Sequence, residues 1–374
     1  MHLLEQQAYI DSRTDMQEPT SLQVAKPIGL KRPLPNLLTR YGKKIQKELL
    51  SLIPEGDSEI YSTLRYHLGW ADQAGNTLKS PQGLGKSLRP SLCLFACQAL
   101  GGNWLQALPA AASIELIHNF SLIHDDIEDG DTERRHRPTM WSLWGLPKAL
   151  VAGNTMHSLA YKTTLNLTEK GVTLEKALTC SLLLVESSLA MIKGQCLDLV
   201  YEEIHNTPIE TYMEMIRLKT GALITCSVEI GAILGCSNQA YVRAFISSAA
   251  HLGRAFQIQD DILGIWGKPK ETGKASGNDI WRKKKSFPIV YALQNLTGPT
   301  RKHLIETYQK ESLDRADIKK VLDILADSGA QDQAKKLVEK EAHLAFSELK
   351  EVPLPVWARE EIKELTEFLA YREY

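Results

Sequence analysis

Residues 111–129 read Ala111-Ala-Ser-Ile-Glu-Leu-Ile-His-Asn-Phe-Ser-Leu-Ile-His124-Asp125-Asp126-Ile127-Glu128-Asp129. This is an apolar helical run that ends in crowded carboxylates. At ~100° per residue, Asp125 and Asp129 lie ~40° apart and Asp126 within ~100° of Asp125, so all three can project from one helix end. Negative charge at a helix C-terminus opposes the macrodipole. Arg134-Arg135 follow at a short interval, and Arg suits bidentate capture of phosphate oxygens. A second pair, Asp260-Asp261, also closes an apolar run and is followed by Lys274 and Lys283-Lys284-Lys285. A lone acidic helix end is as often a solvated terminus. Two such ends, each with cations behind it, call for a positive group between the carboxylates. Hard divalent cations that bridge carboxylate and phosphate oxygens are the usual answer. The expectation is a metal-dependent enzyme acting on a diphosphate.

The bulk properties restrict the class. The 374 residues are 43% hydrophobic and 24% charged, as in ordinary soluble globular proteins. Lys+Arg 44 against Asp+Glu 45 leaves a net charge of −1, so no global field recruits nucleic acid or an anionic membrane. Cys93, Cys97, Cys180, Cys196, Cys226 and Cys236 contain no C-x-x-C pair and lie mostly in apolar stretches, which points to reduced thiols in a cytoplasmic protein. Glu5, Asp11, Asp15 and Glu18 argue against a signal or transit peptide. The apolar stretch Gly221 to Cys236 carries Glu229 and reads as too short and too polar to span a bilayer, so no integral membrane segment is expected.

Residues 1–35 lack periodicity and contain four prolines, and read as a weakly structured tail or arm. From 36 to 374 the 3.6-residue pattern recurs, as in Ile45/Leu49/Leu52/Ile53 and from Leu174 to Ile192, punctuated by prolines. Strand alternation is scarce. One large all-α domain over 36–374 is the most economical reading.

Asp125-Asp126-x-x-Asp129 with Arg134-Arg135 resembles the first aspartate-rich motif of the trans-isoprenyl diphosphate synthases, the polyprenyl synthetase family. The resemblance runs in order from about Gly85 to Lys285. It implies an isoprenoid-synthase helical bundle with a deep central cavity, usually a homodimer, in which three Mg²⁺ ions grip an allylic diphosphate. By that resemblance Asp125, Asp129 and Asp260 are metal ligands, and Asp126 and Asp261 support them. Arg134 and Lys219-Thr220 resemble the contacts to the allylic diphosphate. Lys86, Arg89, His118 and Arg135 resemble the isopentenyl diphosphate site, and Gln257, Lys274 and Lys284 belong to the second phosphate-binding set. Lys284 could be displaced by one position to Lys283 or Lys285. Gln195 and Asp198, in Gly-Gln-Cys-Leu-Asp, match a signature that lines the cavity. Each of these cations, taken alone, would more often be an ordinary surface charge.

Two positions depart from the pattern. Gly264 stands where many relatives have a third aspartate, leaving the second bank one carboxylate short, which is expected to weaken metal retention more than abolish it. Asn154 replaces a common aspartate, with no physical account to offer. The prenyl tail is expected to run beside the helix that carries Asp125. One turn rises ~5.4 Å, close to a five-carbon unit, which makes Ser121, Phe120 and Ile117 a ruler. Bulk at Phe120 without bulk at Ser121 resembles geranylgeranyl-forming relatives and implies a C20 product, with C15 the nearest competitor.

Three other classes share parts of this pattern. A class I terpene cyclase would share the first motif but lack the Lys86/Arg89 site. An HD-type phosphohydrolase built on His124-Asp125 would leave the arginine pair without a task. A catalytically silent regulatory subunit would not need both acidic banks.

Overall fold

The computed structural model describes residues 34–56, 58–80, 85–203, 207–267 and 277–371. They fall in one compact unit that begins at Leu34. Apart from Leu34 and Pro35, the expected arm lies outside the described residues, as does Lys274.

The unit is all-α. Helices α1 (Asn36–Arg40), α2 (Gly42–Leu52) and α3 (Glu59–His67) lead into α4 (Leu88–Ala99) and the central α5 (Leu108–Glu128). A short hairpin, β1 (Glu133–Arg134) and β2 (Arg137–Pro138), precedes α6 (Met140–Trp144), α7 (Leu146–Leu165) and α8 (Leu174–Glu203). A continuous helix follows, consisting of α9 (Ile209–Ile216), a π-turn (Arg217–Gly221) and α10 (Ala222–Gly235). Then come α11 (Gln239–Trp266), α12 (Asn278–Trp281), α13 (Phe287–Asn295), α14 (Gly298–Gln309), α15 (Arg315–Asp327), α16 (Ala330–Ser347) and α17 (Val356–Tyr371).

The prolines that punctuate the sequence act as helix starters. Pro109, Pro147, Pro288 and Pro299 stand in the first turns of α5, α7, α13 and α14, where their missing N–H costs nothing. Asn238 caps α11, and Asp314 with Asp317 forms a capping box at α15.

Helix α5 is buried on nearly all sides, from Leu108 through Ile117 and again at Phe120 and Ile123, which makes it the axis of the main core. It packs chiefly on α7, and α4 lies against α10. That second contact is unusually close: a Cβ on Gly231 would lie 2.1 Å from the Cys93 carbonyl oxygen. A smaller core joins the end of α11 to α12 through α15 around Ile265, Ile280, Ile289 and Val321.

The helix Ile209–Gly235 and the segment Leu174–Glu202 are both long and apolar enough to cross a membrane by length and composition alone. The stretch from Gly221 is therefore part of a longer helix than its sequence implied. Its most apolar window is 56% buried inside the bundle. Helix α8 instead leaves Leu174 (64%), Leu178 (54%), Leu182 (57%) and Leu189 (53%) exposed.

Candidate active site

A cavity of about 900 Å³ opens between the C-terminal end of α5 and the facing stretch of α11. Asp125, Glu128, Asp129 and Asp131 line one wall, and Asp260 and Asp261 the other. The predicted acidic banks therefore share one space. Asp126 does not line it. Its carboxylate turns away, 2% exposed, and accepts a 2.6 Å hydrogen bond from Arg134 Nε. Burial pushes Asp126 up to about 6 against the opposing charge of Arg134. Its part is to hold Arg134, which does line the cavity.

The arginine pair is presented by the β1–β2 hairpin. Arg135 and His136 occupy its two-residue turn with φ of 53° and 61°, the left-handed pair of a type I′ turn. Non-glycine residues there cost of order 1–3 kcal/mol each, a strain characteristic of functional sites. Arg137 anchors the turn by donating to the carbonyls of Tyr66 (2.8 Å) and Ala71 (2.7 Å). Lys86, Arg89, His118 and Arg135 then gather on one side of the cavity. Arg89 Nη1 stands 3.4 Å from His118 Nε2. Burial, then Arg89 and Arg135, drive the His118 imidazole well below its usual range, so it is neutral and can accept from Arg89. Glu115, one turn before His118 and buried, supplies the counter-charge that Arg89 and Arg135 face.

On the far wall the π-turn carries Lys219 and Thr220, a local widening that recurs at functional sites. It fits against α8 because residue 194 is glycine: a Cβ there would lie 2.2 Å from the Lys219 nitrogen. Lys219 Nζ donates to Asp198 Oδ2 at 2.6 Å, and Thr220 Oγ1 to Gln257 Oε1 at 2.5 Å. Gln257 Nε2 in turn donates to Asp261 Oδ1 at 3.0 Å. Asp261 also accepts from Tyr212 Oη and from the Phe287 N–H (2.7 Å). Burial pushes its carboxyl up to about 6. Asp261 is thus largely committed to the protein, leaving Asp260 as the more open member of the pair. Asp198 is not on the cavity surface and acts through Lys219.

Of the three adjacent lysines, Lys284 lines the cavity. Burial opposes its charge, yet Asp279, Asp198 and Asp261 raise its pKa. Lys283 donates to backbone carbonyls of Lys310 and Glu311, and Lys285 lies against the Tyr308 ring. Arg282 spans the walls from α12, 3.7 Å from Asp129 and paired with Asp131. The motifs did not single out Arg282.

Deeper in, the lining becomes apolar around Phe120, Met191, Ile192 and Leu199, with Ser121 and Asn154 alongside. The Phe120 ring packs on His157 at 4.5 Å and His124 at 4.7 Å. His157 Nε2 is fixed by Tyr161 Oη (2.9 Å) and Ser188 Oγ (3.1 Å). Ile117, expected on the ruler, is fully buried in the core and does not reach the cavity. Gln195 lines the wall and donates to Glu128 at 2.7 Å.

Among the described residues no three acidic, His or Cys side chains converge tightly enough to hold an ion unaided. Hard oxygen donors on two facing walls nevertheless fit Mg²⁺, which is usually held by one or two carboxylates plus substrate phosphate and water.

A family model described as Polyprenyl synthetase matches residues 70–325. The chain belongs to that family. This polyprenyl synthetase is a prenyltransferase of the trans-isoprenyl diphosphate synthase type. It is 31% identical over 320 residues to a (2E,6E)-farnesyl diphosphate synthase of Mycobacterium tuberculosis, covering 85% of this chain and 87% of that one. It is 37% identical over 271 residues to a geranylfarnesyl diphosphate synthase of Aeropyrum pernix, covering 72% and 84%. A crystal structure of geranylgeranyl pyrophosphate synthetase from Pyrococcus horikoshii superposes with a TM-score of 0.80 at 32% identity, covering 90% and 98%. These relatives differ in the length of the product named.

Proposed function

We propose that this prenyltransferase condenses isopentenyl diphosphate head to tail (1′-4) with an allylic diphosphate, with Mg²⁺, to give a C20 prenyl diphosphate. The observation that carries the reading is one cavity with two acidic walls, a separate cationic side and an apolar depth.

Each part of the cavity has a share in the chemistry. Lys86, Arg89, Arg135 and neutral His118 bind and orient isopentenyl diphosphate. Arg134, Lys219 and Lys284 face the allylic diphosphate, where negative charge grows as the C–O bond ionises; preorganised charge in a site closed to water lowers that barrier most. Mg²⁺ between the walls would supply further positive charge to the departing diphosphate. The isopentenyl double bond attacks the allylic cation, and the released diphosphate is a sufficient proton acceptor, so no side-chain base is required.

The apolar depth supports the C20 length, because the buried Phe120 ring blocks the path beside the small Ser121. The similarity to a farnesyl diphosphate synthase keeps C15 as the second reading. A homodimer is part of the proposal. The exposed leucines of α8, with Leu150 and Val151 of α7, are large apolar side chains that a second copy of the chain would cover. A cytoplasmic setting is proposed from the free, mostly buried cysteines.

The test is chain-length analysis of products from isopentenyl diphosphate with C5, C10 and C15 primers and Mg²⁺. A C20 main product supports the reading. Consumption of an allylic diphosphate alone would indicate a cyclase, and no turnover with any primer a regulatory subunit.

A further inference from the structure

Helix α11 presents Asp260 and Asp261 and then, one turn on, Gly264, which has no carboxylate to offer. The space beside it is filled from another segment. An ideal Cβ on Gly264 would lie 2.1 Å from Asp279 Oδ2, 2.4 Å from its Cγ and 2.7 Å from its Oδ1. The oxygens of an aspartate stand about 2.4 Å from their own Cβ. The Asp279 oxygens therefore fall within the space that a side chain carried by residue 264 would fill, with the carboxyl carbon farther out than that residue's own Cγ would stand, about 1.5 Å from Cβ. Asp279 reaches this place from α12, and it lines the same cavity as Asp260, Asp261 and Gly264. The main chain there is held by the turn after α12, where the Lys284 N–H donates to the Asp279 carbonyl at 2.8 Å.

We infer that Asp279 is the third acidic group of the α11 wall, delivered across the helix boundary, and that it positions the divalent cation held by Asp260 against the diphosphate. The glycine is the condition for this arrangement. A larger residue at 264 would overlap the Asp279 oxygens, and a second carboxylate there would meet like charge at contact distance. The wall that looked one carboxylate short is complete in space. Groups that orient a bound ion from outside its direct ligands typically contribute 10- to 100-fold in metal affinity. The inference rests on the prenyl diphosphate reading.

The test is Mn²⁺ binding to the full chain in the presence of inorganic pyrophosphate, followed by electron paramagnetic resonance of free and bound ion. Asp279→Asn is expected to weaken binding about tenfold or more. The exchange variant Gly264→Asp/Asp279→Gly, which returns the carboxylate to α11, is expected to recover most of it. Gly264→Ala gives a second route if Asp279→Asn does not fold, because its methyl displaces the Asp279 carboxylate and should weaken Mn²⁺ in the same sense. Wild-type affinity in folded Asp279→Asn or in folded Gly264→Ala overturns the assignment, and would leave Asp279 only a counter-ion of Lys284. A wild-type chain that binds no Mn²⁺ with pyrophosphate and forms no prenyl product overturns the functional reading, and the inference with it.

Discussion

The Lys219 ammonium lies 2.6 Å from the Asp198 carboxylate and so ties the π-turn to α8 across the glycine contact at residue 194. Burial opposes ionisation of Asp198, but Lys219 and then Lys284 hold its carboxyl below the usual range, so the carboxylate is charged at neutral pH. Hydrogen bonds to charged groups contribute about 1.5–3 kcal/mol. Asp198→Asn is therefore expected to lower kcat at least about tenfold while far-ultraviolet circular dichroism stays unchanged. Wild-type kcat would show that Lys219 needs no such tether.

Asp125 faces the cavity, and burial, the largest influence on it, raises its carboxyl pKa. Its charge is best accommodated by a cation. Asp125→Ala is expected to cost roughly 10²-fold or more in kcat, the scale seen when one charge-stabilising group is lost. Chelation of divalent ions should abolish turnover and added Mg²⁺ restore it. Turnover that survives chelation would contradict the metal requirement.

The Phe120–His157 contact predicts the effect of Phe120→Ala. Opening the block should shift the main product longer by at least one five-carbon unit, read by mass spectrometry of dephosphorylated products. An unchanged distribution would refute the ruler at this position.

His67 lies against the arginine hairpin. Burial first, and Arg135 next, drive its pKa down to about 3, against about 6.5 in an unfolded chain. Between those values the unfolded chain binds more protons, so stability rises with pH through this window and is lost as pH falls below about 6.5. The loss is about 1.4 kcal/mol per pH unit, or roughly 2 kcal/mol at pH 5. Asp126 and Asp261, raised to about 6, act in the opposite sense over part of that range. Comparison of wild type with His67→Gln isolates the histidine. The variant should lose about 2 kcal/mol less than wild type between pH 7 and pH 5 in urea unfolding; parallel curves would exclude the effect.

What was legible in the sequence was whatever is local along the chain. Asp125 and Asp129 share a helix end, and Lys86 and Arg89 sit three residues apart across the start of α4, so spacing alone brought each pair together. Contacts between segments were hidden. Nothing in the string ties Asp279 to Gly264 or His157 to Phe120, because the packing of α12 on α11 and of α7 on α5 decides both. Ile117 was misplaced for a related reason: α5 is apolar almost all round, so periodicity cannot say which side meets the cavity and which meets the core. The assignment to Lys284 likewise stayed open by one position in the sequence, because the backbone after α12, with Lys283 at φ 55°, sends each lysine in a different direction.

The near-touching backbones at Gly231 and Cys93 have a consequence at long range. Arg89 stands in the first turn of the helix that carries Cys93, so a single methyl at Gly231 would work as a wedge beneath that helix and swing the guanidinium out of aim. Poor grip on the incoming five-carbon unit could thus be inherited from a position that meets no reactant, and a screen confined to residues around the reaction centre would overlook it.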